Sequence, residues 1–281
     1  MVTPDERKLT LRKPDACGRC AVALPVGSLA WYRKADKSVA CQSCAGKPEP
    51  ITPGAPGASA LAEYEKRRRN RERRTRAAHP HLGGLIVAFR EPPASEEAWR
   101  IGAEGEQQLA AELTRRLVST TAALLHDRRI PGSRANIDHI VIAATGVYVI
   151  DAKRYSGRIE RRVDGGLFHS GRGRLFVNGR DKTKLVEGIR KQADIIEDVL
   201  ADLPGEPVPV HPILCFIDGH FPQMRPPVVN GVPVLWPKSA SRRIARDGPI
   251  AASRIADVSA HIAARLPACG VVQPNTRGRA A

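Results

Sequence analysis

Asp138, Asp151 and Lys153 are the residues whose types and spacing point to chemistry. They lie in Asn136-Ile137-Asp138-His139 and Val147-Tyr148-Val149-Ile150-Asp151-Ala152-Lys153. Both stretches read as strands of a buried sheet. Residues two apart on a strand point the same way, so Asp151 and Lys153 share a face with Val147 and Val149. A carboxylate and an ammonium at the end of an apolar face are costly to bury without a partner or a task. With Asp138 converging from the preceding strand, two acids and a lysine are the minimum for holding Mg²⁺ or Mn²⁺ beside a phosphodiester. Glu106 is the best candidate for a further acid, because it lies three residues before Leu109 on a helix whose stripe faces inward; Glu104 competes for that role. Taken alone, Asp-x-Lys is common, and Asp151–Lys153 could equally be an ion pair at a strand end.

Elements on either side must position these groups. Ala103–Leu117 reads as an amphipathic helix with Leu109, Leu113, Leu117 and Val118 as its buried stripe. An apolar stretch at Ala122–Leu125 ends in His126-Asp127-Arg128-Arg129-Ile130, and strands are expected at Ile137–Ala143 and Val147–Ala152, with Thr145-Gly146 as a tight turn. Shorter strands follow at Gly157–Val163, Leu167–His169 and Arg174–Val177. A long helix is predicted from Lys182 to Leu203, then strands at Val208–Ile217 and Val232–Trp236, and one or two helices over 239–265. The order suits a mixed α/β sheet with flanking helices. His139 alternates to the face opposite Asp138 and reads as a packed core histidine, Arg154 likewise points away from the acids, and Cys215 reads as a small buried hydrophobe. Cys269 has no cysteine partner nearby in sequence. No GxxxxGK[ST] loop is present, which argues against an ATPase or kinase.

Cys17-Gly18-Arg19-Cys20 and Cys41-Gln42-Ser43-Cys44 form a second constellation, two CxxC pairs with 20 residues between them. Four thiolates so spaced match one tetrahedral zinc site of the ribbon or knuckle kind, structural and closed. So small a region buries little core, so the metal would supply much of its folding energy.

The chain has 281 residues and a formal net charge of +16. A surplus of that size points to a polyanionic partner, most simply nucleic acid. Eight of the eleven residues from Lys66 to Arg76 are basic: Lys66, Arg67, Arg68, Arg69, Arg71, Arg73, Arg74 and Arg76. With no Gly or Pro inside, the segment suits a helical arm that contacts phosphates without reading bases; a solvated helical linker is the competing reading. No apolar run is long enough to span a membrane, and the N-terminus lacks the pattern of a signal peptide, so a cytoplasmic protein is expected. The divisions read from composition are a zinc module over 1–46, a Pro/Gly linker and basic helix over 47–98, the main domain over 99–238 and a helical, basic extension over 239–281.

Residues 99–158 resemble the nuclease-related domain (NERD) family, which is similar to the PD-(D/E)xK restriction-endonuclease-like superfamily. The motifs are Gly102-Ala103-Glu104-Gly105-Glu106, Asn136–Ile142 and Gly146–Gly157. The resemblance extends to about Ile217. It implies an αβββαβ core, carries the acidic roles onto Glu106, Asp138 and Asp151, and makes Lys153 the lysine. It also puts Gln192 where family members often carry a glutamine that positions water or phosphate. Asp151 stands where the family often has glutamate, one methylene longer. The implied activity is metal-dependent hydrolysis of phosphodiester bonds, with DNA the expected polymer. A protein that keeps the fold and binds nucleic acid without cutting it is the alternative.

Overall fold

A computed structural model describes residues 6–34, 37–45, 51–89, 91–163, 173–222 and 226–269. It divides into a cysteine-bearing unit ending at Ile51 and a larger unit beginning at Thr52. In the first unit, β1 (Glu6–Thr10), β4 (Leu29–Arg33) and β5 (Ser38–Ala40) form an antiparallel sheet, and β2 (Asp15–Ala16) pairs with β3 (Ala23–Leu24). Its core is a handful of side chains, Leu11, Leu24, Ala30 and Val39 with Cys17 and Cys41.

The larger unit opens with α1 (Ala58–Ala78), α2 (Gly83–Phe89) and α3 (Ala94–Leu117). Then come β6 (Ala123–Arg129), β7 (Asn136–Ala143), β8 (Gly146–Lys153), β9 (Gly157–Val163), β10 (Gly173–Val177) and β11 (Arg180–Asp181). The chain continues as α4 (Thr183–Ala201), β12 (Val210–Phe216), β13 (Gly219–His220), β14 (Val228–Val229), β15 (Val232–Leu235), α5 (Pro237–Ile244) and α6 (Ala252–Arg265). The main sheet has the order β14-β15-β12-β8-β7-β6. β6, β7 and β8 form an antiparallel meander, while β12 lies parallel to both β8 and β15. This is the mixed α/β architecture expected, with β9, β10 and β11 inserted between β8 and α4 and joined by β13, which follows β12, in the small sheet β11-β10-β9-β13. The predicted strand at Leu167–His169 lies outside the described residues.

β8 sits between β7 and β12 and is covered on both sides, which explains its nearly unbroken apolar sequence. On one side, Leu109, Leu113 and Leu117 of α3 pack with Val141, Tyr148, Ile150, Ile213 and Cys215. Val118 departs from the expected stripe: α3 ends at Leu117, and Val118 turns outward at 81% exposure.

Residues 52–57 of the Pro/Gly stretch are anchored on the rest of the larger unit. His126 N donates to Pro53 O at 2.6 Å. Gly54 and Gly57 have left-handed φ of 88° and 75°, and a Cβ at either would strike backbone, His126 O at 2.2 Å and Ala103 O at 2.8 Å respectively. Glycine lets this segment lie flat against β6 and α3, so α1 begins at a defined place.

Candidate active site and candidate metal centre

The β7–β8 register pairs His139 with Ile150, and one further step sets Asp138 opposite Asp151. Continuing the β6–β7 register sets Asp127 opposite Asp138. Three acids thus form a row across three adjacent strands. Asp138 and Asp151 are within hydrogen-bonding reach of each other, and Asp138 Oδ2 accepts from Ala152 N at 3.3 Å. Lys153 Nζ is ion-paired with Asp151 Oδ1. A cleft of about 590 Å³ opens here, with Glu106, Asp138, Lys153 and Tyr155 among its walls, Ser59 and Ala60 from α1, and Leu185 from α4.

Glu106 is buried beside the row. It accepts the Gly57 N–H, while its Oε2 is buried without a hydrogen-bond partner. Burial, reinforced by the charges of Asp127 and Asp151 and opposed by Lys153, lifts its carboxyl from the ordinary 4.5 to about 7. Burial and the charges of Asp151 and Glu106 push Asp138 well above the usual aspartate range. For Lys153, burial works against the ammonium, but Asp151 and Asp138 outweigh it and hold the amine above its ordinary value. Glu104 is held elsewhere: it accepts from Arg154, which also binds Asp218 at 2.9 Å.

Crowded carboxylates that resist ionising, with an orphaned buried oxygen among them, are what a divalent cation would relieve. Asp138, Asp151 and Glu106 therefore suit Mg²⁺ or Mn²⁺. The trio stands wider than the cysteines, since only the latter, among the described residues, bring three or more ligand atoms within 4.8 Å of one another.

Gln192 on α4 lies beside the cleft, with Nε2 donating to Asn136 O at 3.5 Å and Oε1 buried without a partner. His139 is fully buried on the opposite face, its Nδ1 2.8 Å from that of His126.

Asp127 was not anticipated. It is fully buried at a φ of 48°, its Oδ2 accepts Ser59 N at 2.6 Å and its Oδ1 accepts Asn136 Nδ2 at 2.7 Å. It ties the start of α1 to the strand carrying Asp138. Its setting, His126-Asp127-Arg128-Arg129, reads as a charged strand end. Only the β6–β7 register would have placed it opposite Asp138.

The basic arm is the helix expected, packed on α3. Arg71 donates to both oxygens of Glu96, at 3.0 and 3.2 Å, and Glu96 is buried. Arg67, Arg68, Arg69 and Lys66 make ion pairs along the exposed face, and Arg73 donates to Asn70.

The sulfurs of Cys17, Cys20, Cys41 and Cys44 gather at one point, compatible with a zinc module. Cys41 N donates to Cys17 Sγ at 3.3 Å. Burial opposes a Cys17 thiolate, but backbone N–H groups of Cys41, Arg19 and Cys20 outweigh it and bring the thiol down to about 6. The neighbouring sulfurs push Cys44 up to about 12. One ligand is ready to ionise, and a cation would draw the others after it.

The family model described as nuclease-related domain, NERD, matches residues 101–217, which hold α3, the acid row and Lys153. No curated protein and no solved structure matches the chain. No helix among the described residues is long and apolar enough to cross a membrane.

Proposed function

We propose that this nuclease-related domain hydrolyses phosphodiester bonds in nucleic acid, DNA foremost, at a metal-dependent site formed by Glu106, Asp138, Asp151 and Lys153. The observation that carries the reading is the meeting of Asp138 and Asp151 across β7 and β8, with Lys153 at the next position on the same face and the partnerless oxygen of Glu106 beside them.

Asp138 and Asp151 would hold Mg²⁺ or Mn²⁺, with Glu106 joining directly or through water. The ion, when bound, supplies Lewis acidity and a more acidic water. Lys153 stays protonated at neutral pH, so it serves as a fixed cation and donor for charge developing on the phosphate, not as the base. Gln192, close to the start of β7, would position water or a phosphate oxygen. Lys66, Arg67, Arg68, Arg69, Arg73, Arg74 and Arg76 on α1 would hold the polymer by its phosphates. Arg71 has its place fixed by Glu96 and serves the helix's docking instead. Zinc on the four cysteines would be structural. Six thiols without a disulfide suit a reducing, cytoplasmic setting.

A non-catalytic nucleic-acid-binding protein is the second reading, favoured by the Gly57 N–H that already engages Glu106. It requires salt-sensitive binding that survives Asp138→Ala and Lys153→Ala, with no cleavage. The test is incubation of the purified protein with DNA and RNA in Mg²⁺ or Mn²⁺ beside Asp151→Ala. Cleavage abolished by the substitution supports the nuclease; no cleavage of either polymer, or equal cleavage by the variant, overturns it.

A further inference from the structure

The small sheet has one face in the core and one in solvent. Ile159, Leu175 and Val177 are buried on the inner face. Alternation and register put Arg158, Glu160 and Arg162 of β9, Arg174 and Phe176 of β10, and His220 of β13 on the outer face. The arginine side chains there are 63%, 49% and 43% exposed. Phe176 is half-buried, with the Arg162 guanidinium 4.2 Å from its ring centroid and that of Arg174 at 5.5 Å.

This is a layer of planar cations on an aromatic ring, spread over a sheet. Glu160 and Asp181 pair with the arginines, but exposed ion pairs are weak and a phosphate can replace the carboxylate at little cost. Guanidinium planes and aromatic rings both stack on nucleobases, and every base has a face to offer. A duplex keeps its bases stacked on one another and would present only phosphates. The sheet is also well placed: β9 begins four residues after Lys153, and Tyr155 between them lines the acid cleft with Lys182 Nζ 5.3 Å from its ring centroid. At the far end, Arg174 borders a cavity of about 670 Å³ whose walls include Arg190 and Lys191.

We propose that the outer face of β9 and β10, centred on Phe176, Arg162 and Arg174, is a platform that binds single-stranded nucleic acid and leads it to the cleft. The proposal rests on the nucleic-acid reading above.

Fluorescence anisotropy of the full chain with a labelled single-stranded oligonucleotide and a labelled hairpin duplex, without added divalent metal, tests it. Phe176→Leu should weaken single-strand binding about tenfold and leave duplex binding nearly unchanged. Arg162→Gln and Arg174→Gln, exposed changes that spare the core, should each lower the single-strand salt slope by about 0.7. If the wild type binds single strands, and cuts them once Mg²⁺ or Mn²⁺ is added, but all three variants bind them as it does, the platform falls and the nuclease reading stands. Equal loss for both polymers also overturns the platform. If the wild type binds neither polymer, both readings fall together.

Discussion

Asp138 is buried close to the carboxylates of Asp151 and Glu106, and the geometry is unfavourable until a cation joins it. Asp138→Asn should weaken Mn²⁺ binding at least tenfold in a calorimetric titration, a size typical of losing a charged metal partner, while raising the thermal midpoint of metal-free protein by relieving repulsion. Glu106 adds a pH signature. The unfolded chain releases that proton near 4.5, whereas the folded chain holds it to about 7. Between those values the native state binds more protons, so stability falls as pH rises through the window. Glu106→Gln should match metal-free wild type near pH 4.5 and exceed it by about 1 to 3 kcal/mol at pH 8, measured by urea unfolding. A variant no more stable at pH 8 would place Glu106 in a more polar setting than the one described.

Helix α1 and the segment before it show what the sequence could and could not reveal. Its helicity was legible from the run of Lys and Arg without Gly or Pro, and the α3 stripe from Leu109, Leu113 and Leu117. The docking of α1 was not, because it depends on partners far along the chain: Ser59 on Asp127, Arg71 on Glu96, Gly57 on Glu106. Eight similar cations in eleven residues look alike locally, and only the fold distinguishes Arg71. Arg71→Ala strands a buried carboxylate and should cost about 3 kcal/mol of stability. Arg74→Ala and Arg76→Ala should leave the melting temperature unchanged and lower the salt slope of duplex binding by roughly 0.9 each. The reverse pattern in melting and titration would remove α1 from the proposed interface.

At the scale of the whole chain, the strongest local signals survived best. The two CxxC pairs meet, and the acid-x-lysine strand lies at the sheet centre, because a buried strand and a tetrahedral thiolate site each impose their own spacing. Asp127 was missed because its side-chain partners, Ser59 and Asn136, come from two other segments of the chain. The cysteine unit has little core of its own, so its fold should depend on metal. Native mass spectrometry should find one zinc per chain, and Cys17→Ser should lose it while calorimetry retains the larger unit's transition. Loss of that transition with the zinc would show one cooperative molecule instead of two units.

Single-turnover cleavage by Lys153→Met bears most directly on the site, because the substitution leaves all three acids in place. Removal of one charge-stabilising donor should slow cleavage by about 10²–10³, with DNA affinity, measured separately by anisotropy, staying close to that of wild type. Cleavage at the wild-type rate, or loss of binding in place of rate, would contradict the assignment of Lys153 and the acid row as the hydrolytic centre.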